Sequence, residues 1–167
     1  MSTINGKACV VNGTPVDKVF SNGKQVYGQN LFATSSSVSG YVDASGNGIY
    51  MTTKYGVLAS DYVSVVGYNR LVYQSWVDWT DDRNVAQDWI GWAFFDNDKK
   101  LVGGRTASNG DAHTVGDTAY NARYIDVPEG AAFIRISARW LDGVDAKYKL
   151  EAGNVATAWT PAPEDVV

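Results

Sequence analysis

The residues of this chain best placed to do chemistry are aromatic and polar side chains that alternate along strand-like stretches. In Arg70–Trp79 a period of two puts Arg70, Val72, Gln74, Trp76 and Asp78 on one face and Leu71, Tyr73, Ser75, Val77 and Trp79 on the other. The first face is the more polar and is expected to be exposed and concave. A flat indole such as Trp76 offers a surface for the C–H side of a pyranose, while Gln74 and Asp78 beside it would replace water at the hydroxyls. Trp79 and Trp89 are further platform candidates, Trp89 because it precedes Gly91 and Ala93, which would leave a shallow surface open. In Phe133–Trp140 the apolar Ile134, Ile136, Ala138 and Trp140 should face the core. Arg135, Ser137 and Arg139 would then share the opposite face as a hydrogen-bonding floor.

Residues suited to bond breaking are sparse. His113 is the sole histidine and no Gly-x-Ser-x-Gly elbow frames a serine, so a Ser-His-Asp arrangement has little to build on. The carboxylate pairs Asp81 with Asp82 and Asp96 with Asp98 sit in turn-like contexts that favour local hydrogen bonding over glycosidase chemistry. The expectation is therefore a protein that is not an enzyme. Transition-metal spacing is missing, since the single Cys9 and His113 lie far apart without neighbouring ligands. No cofactor is expected. A structural calcium on turn oxygens is left open, with Asp43, Asn47, Asp96, Asp98 and Asp111 as candidates.

Composition sets the frame for these residues. A length of 167 residues suits one domain, 45% hydrophobic and 19% charged residues describe a globular chain, and a 13% aromatic share exceeds what core packing usually takes. A net charge of −4 without Lys/Arg clusters argues against nucleic acid. Apolar runs are too short for a membrane helix, so no membrane partner is expected, and the N-terminus carries no signal-peptide pattern, so export is not written in this segment. With one cysteine there is no internal disulfide, which fits assembly in a reducing compartment.

The elements that must position these side chains are strands. Asn5-Gly6, Asn12-Gly13 and Asn22-Gly23, separated by short apolar-alternating runs, predict tight hairpins in residues 1–29. Further strands are predicted at Gly48–Thr53, Val63–Val66, Arg70–Trp79, Asp88–Asp96, Lys100–Gly103, Arg123–Val127, Phe133–Trp140 and Lys147–Glu151. A polar loop over Gly103–Asp117, carrying Arg105, Asn109, Asp111 and His113, is long enough to carry specificity. A helical turn is predicted only near Thr118–Ala122. Many short strands at this spacing indicate an all-β antiparallel β-sandwich of jelly-roll type.

Four stretches carry a resemblance. Lys149-Leu150-Glu151-Ala152-Gly153 with Ala156-Thr157-Ala158-Trp159-Thr160-Pro161-Ala162-Pro163-Glu164-Asp165 resembles the closing run of carbohydrate-binding modules in tail and baseplate proteins of bacteriophages of Gram-positive, lactobacillus-like hosts. Val127-Pro128-Glu129-Gly130 leading into Phe133-Ile134-Arg135-Ile136-Ser137 is similar to their Pro-Glu-Gly turn and central strand. Phe94-Phe95-Asp96-Asn97-Asp98-Lys99-Lys100-Leu101-Val102 looks like one of their hairpins. Lys18-Val19-Phe20 and Val26-Tyr27-Gly28-Gln29-Asn30-Leu31 resemble the connector that precedes them, with Phe20 replacing a more usual tyrosine. Residues 35–70 carry none of these motifs.

The resemblance implies a connector over residues 1–29 and a carbohydrate-binding β-sandwich over 30–167. It also implies a virion location in the phage tail, with host cell-wall polysaccharide and other tail or baseplate subunits as partners, and a role in host recognition and adsorption. The alternative from another class is a structural, protein-docking module of the baseplate in which the aromatic residues are core.

Overall fold

The computed structural model describes residues 10–11, 14–45, 48–52, 56–78, 90–107, 118–139 and 146–166. Every strand pairing among them is antiparallel. Strands β1 (Val10–Val11) and β2 (Thr14–Pro15) form one short ribbon, and β3 (Lys18–Ser21) with β4 (Lys24–Gly28) forms a second. A larger sheet runs in the order β11 (Leu101–Arg105), β10 (Gly91–Phe95), β13 (Phe133–Arg139), β7 (Val57–Ala59), β5 (Val38–Asp43), β6 (Gly48–Met51), and β8 (Val63–Ser64) also pairs with β13. A three-stranded sheet places β9 (Arg70–Asp78) between β12 (Thr118–Asp126) and β14 (Ala146–Ala152). The chain is thus an all-β, antiparallel β-sandwich.

The alternation predicted for β9 and β13 builds the main core. Leu71 and Tyr73, with Ile125, Tyr148 and Leu150 from the flanking strands, meet Phe94, Ile134, Ile136 and Ala138 of the larger sheet and Ile90 just before β10. Phe32 enters between them, its ring edge-on to Tyr73 at 6.5 Å and to Tyr148 at 6.1 Å.

The surface expected above Gly91 and Ala93 is instead filled. Ala93 and Phe95 are buried with Val42 in a second apolar cluster on the reverse side of the larger sheet. The sheet curls so that β5 and the end of β11 close over β10, and the Ala107 N–H donates to the Val42 carbonyl at 3.0 Å. A Cβ on Gly91 would stand 2.5 Å from the Ala107 nitrogen, so glycine is needed there for close approach and not for an open shelf.

Two boundaries also differ from expectation. Strand β11 continues to Arg105, which shortens the predicted polar loop. The helical turn expected near Thr118–Ala122 is the first half of β12, held in register with β9 from Thr118 opposite Asp78 to Asp126 opposite Arg70. Nine consecutive cross-strand partners outweigh the weak local preference of Ala and Asn. Turns follow the sequence more closely. Asn22 and Gly23 both have positive φ, 50° and 77°, as a two-residue hairpin loop between β3 and β4 requires. The Pro128-Glu129-Gly130 turn closes with the Ala131 N–H on the Pro128 carbonyl at 3.2 Å, and Gly130 has φ 81°.

A clasp joins the end of β4 to the C-terminal segment. Asn30 is buried and donates from Nδ2 to the carbonyls of Tyr148 (3.1 Å) and Thr160 (3.0 Å), while its Oδ1 accepts from the N–H of Phe32 (3.0 Å) and Leu150 (3.1 Å). Beside it the Lys149 ammonium donates to Thr157 Oγ1 at 2.7 Å and to the Ala158 carbonyl at 2.8 Å, and lies 3.6 Å from Glu151 Oε2. Glu151 accepts from the Thr157 N–H (2.8 Å) and hydroxyl (2.7 Å), and the Gly28 N–H donates to Thr157 Oγ1 at 3.1 Å. Gly28 lies so tightly on Glu151 that a Cβ there would overlap the carboxylate. Asp165 completes the clasp by accepting from the Thr34 N–H and hydroxyl and from the Ser35 N–H.

Candidate functional site

Among the described residues, the predicted binding side chains Gln74, Trp76 and Arg135 do not come together in one site. Trp76 is half-buried on the outer face of the three-stranded sheet, its backbone opposite Lys147 of β14. Gln74, expected on an exposed concave surface with it, is 1% exposed. Its Nε2 donates to Glu151 Oε1 at 2.5 Å and to the Thr157 carbonyl at 3.1 Å, so it belongs to the clasp. Polar character in a period of two marked a shared face correctly but not what covers that face. Asp78 ends β9 with its backbone opposite Thr118, and Arg139 ends β13 opposite Val57. Their side chains, and all of Trp79 and Trp89, lie outside the described residues, as do Cys9, Asn47, Asp81, Asp82, Asn109, Asp111, His113 and Trp140.

Arg135 stands in the other sheet from Trp76, and its row is no open floor. Ser137 is fully buried and accepts the Val42 N–H at 3.1 Å. Arg135 donates from Nε to the Ser60 carbonyl at 2.7 Å and lies 5.0 Å above the Tyr62 ring. Lys99 also approaches that ring, at 4.6 Å, and the edges of Phe95 and Phe133 pack against it. Arg135 therefore fixes the segment after β7, and that segment lines a hollow of about 400 Å³.

Three adjoining cavities of about 400, 360 and 290 Å³ make one open groove across the end of the sandwich where β9 begins. The first two share Asp17, Gln29, Leu31 and Tyr68, and the second and third share Lys18 and Tyr68. Tyr68 is the aromatic residue common to all three. Its segment is bound down at several points. Ser60 donates its N–H to the Ile136 carbonyl at 2.8 Å and accepts the Ile136 N–H on its hydroxyl at 3.0 Å, and the Val65 N–H reaches the Ala132 carbonyl at 2.9 Å. A turn then brings the Tyr68 N–H to the Val65 carbonyl at 3.0 Å, with Gly67 at φ 84° supplying the left-handed residue. Tyr68 packs against the main core and also lines the groove.

Around Tyr68 the groove is polar. Its wider end carries the Asp17, Asp61 and Glu164 carboxylates with the Gln29 amide and the hydroxyls of Ser36 and Ser64. The narrower end carries Lys18, Asn69, Arg70 and Asn154. Burial, assisted by the nearby Asp17 carboxylate, raises the Tyr68 phenol above its ordinary pKa, so it remains a neutral donor and acceptor. A half-buried ring with amide, hydroxyl and carboxylate neighbours suits reversible binding of a polyhydroxylated ligand. Trp76 is remote from it, six residues along β9 from Arg70, or about 20 Å at strand rise.

Among the calcium candidates, Asp43 Oδ1 accepts from the Ser45 N–H and hydroxyl, and Asp96 Oδ1 accepts from the N–H groups of Asp98 and Lys100. These are turn-forming bonds. Among the described residues no three His, Cys, Asp or Glu side chains gather to hold a metal ion. Sequence reasoning passed over Tyr68 because it lies in the stretch without motifs. The signal there was slight, an aromatic and an amide following glycine in Gly67-Tyr68-Asn69. No protein-family model and no curated protein matches this chain.

Proposed function

We propose that the chain is a non-catalytic module that binds a polysaccharide of the bacterial cell wall, and that it acts in host recognition and adsorption as part of a phage tail or baseplate protein. The observation that carries the binding role is the groove along Tyr68, where an aromatic residue stands among amide, hydroxyl and carboxylate residues from separate segments. The tail assignment rests on the resemblance of the four sequence motifs. An open groove buries little of a sugar, so a single site should bind in the micromolar to millimolar range, on the order of −4 to −8 kcal/mol. Several copies on one tail would raise this through effective concentration.

The test is binding of the fluorescently tagged protein to whole cells and purified wall polysaccharide of Gram-positive hosts, with Tyr68→Ala and Trp76→Ala beside the parent. Binding that survives protease treatment of the cells, competes with free polysaccharide and is lost in a folded Tyr68→Ala variant supports the reading. Loss only in Trp76→Ala moves the site to the outer face of the three-stranded sheet. No binding across the hosts, even for a multimerised protein, favours the structural docking role.

A further inference from the structure

Strands β7 and β8 both pair with β13, but in registers that differ by one residue. Ala59 stands opposite Ser137 and Val63 opposite Ile134, so residues 60–62 face residues 135 and 136, three against two. The extra residue makes a β-bulge, a device that re-aims side chains and recurs beside functional sites. Packing fixes the register on either side of it, since Ala59 is fully buried before the bulge and Val63 and Val65 pack on the main core after it.

Two side chains satisfy the backbone that the bulge displaces. In a regular antiparallel ladder Ser60 and Ile136 would exchange both N–H···O=C bonds. Here the Ser60 N–H reaches the Ile136 carbonyl at 2.8 Å, while the Ile136 N–H is taken by the Ser60 hydroxyl at 3.0 Å. The Ser60 carbonyl accepts instead from Arg135 Nε at 2.7 Å. The same guanidinium lies 5.0 Å above the Tyr62 ring, whose edges meet Phe95 and Phe133. Ser60, Asp61 and Tyr62, the bulged residues, line the hollow of about 400 Å³ that Tyr68 also lines. We infer, resting on the glycan-binding reading, that Arg135 is a positioning residue of the groove: without touching the ligand, it holds the bulged wall, through the Ser60 carbonyl and the Tyr62 ring, in the shape that a glycan lying along Tyr68 requires.

The experiment is NMR titration of the intact protein with purified wall polysaccharide of Gram-positive hosts, following the Tyr68 ring signals, for the parent, Arg135→Met, Arg135→Gln and a deletion of Asp61. Methionine removes the donor. Glutamine carries Nε2 as far along its side chain as arginine carries Nε, so it restores the hydrogen bond to Ser60 without the charge. Deleting Asp61 leaves two residues against two, so β7 and β8 can join as one regular strand with both flanking registers kept. With the amide signals of β9 and β14 unchanged as the sign of a folded protein, Arg135→Met should bind about tenfold more weakly, the cost of ordering a loosened wall on binding. Arg135→Gln should recover most of that loss, and the deletion should leave Tyr68 unshifted. Parent-like binding by Arg135→Met or by the deletion, or no recovery in Arg135→Gln, overturns the positioning role while leaving the groove a glycan site. A parent protein whose Tyr68 ring no polysaccharide shifts overturns the groove reading and the role of Arg135 with it.

Discussion

The clasp and the groove use nearly the same side chains and put them to opposite uses. In the clasp, Lys149 and Glu151 have no exposed side-chain surface, and Gln74, Asn30 and Thr157 are buried with them. Each finds its partner inside the protein. In the groove, Asp17, Gln29 and Glu164 line an open hollow, and among the described residues no side-chain hydrogen bond ties them. Amide, carboxylate, lysine and hydroxyl are thus structural where the fold satisfies them and available where it does not. Composition does not separate the two cases. Only the accounting of hydrogen-bond partners does.

The widest separation between the regions should come from Lys149→Ala, which leaves Glu151 buried without its cation. Urea unfolding should show a loss of about 3–5 kcal/mol, the usual cost of breaking a buried pair by removing one partner. Asn30→Ala should follow at about 3 kcal/mol, since four hydrogen-bonded groups lose their partner and some stay buried. A loss below about 1 kcal/mol in both would remove the distinction drawn between the regions. In the groove, Asp17→Asn and Glu164→Gln should change stability by no more than about 0.5 kcal/mol, as surface substitutions do, while altering binding.

Acid and base should act on the clasp in ways that can be read separately. Burial works against the Asp165 carboxylate, but the hydrogen bonds from Ser35 and Thr34 outweigh it and hold its pKa below the ordinary aspartate value. With the folded pKa depressed, this contribution is present above the unfolded pKa and is lost as pH falls through the folded one. An Asp165→Asn variant should show a shallower loss of stability in acid. Burial pulls the Lys149 pKa down, with Glu151 restoring part of it. The unfolded chain then binds more protons between the folded pKa and the ordinary lysine value, so this residue makes stability rise with pH through that interval. Thermal melts of Lys149→Met against the parent should show that rise disappear.

Much of the framework was legible in the sequence. The alternation of β9 and β13, the Asn22-Gly23 hairpin and the Pro128-Glu129-Gly130 turn follow from local chemistry. Strands β5 and β7 were not anticipated, because Val38–Asp43 is interrupted by Gly40 and Val57–Ala59 is too short to show a period. The surface expected above Gly91 and Ala93 failed because curling of the larger sheet buries both of its faces there, and alternation along one strand carries no information about a sheet folding back on itself. Gln74 was misplaced for a related reason, since its partners Glu151 and Thr157 lie far along the chain. Tyr68 was invisible because its neighbours become neighbours only in the fold.

The contacts of Asn30 and of Thr34 with the C-terminal segment bridge separations of 118 to 131 residues. A growing chain therefore cannot close the clasp until the final strand and the segment after it have left the ribosome. Phe32, which packs edge-on against both Tyr73 and Tyr148, must wait for the same event. With so much of its native pairing non-local, the protein should fold on the millisecond-to-second scale of all-β domains. The groove, walled on one side by residues 17–31 and on another by Glu164, takes its shape in that last step.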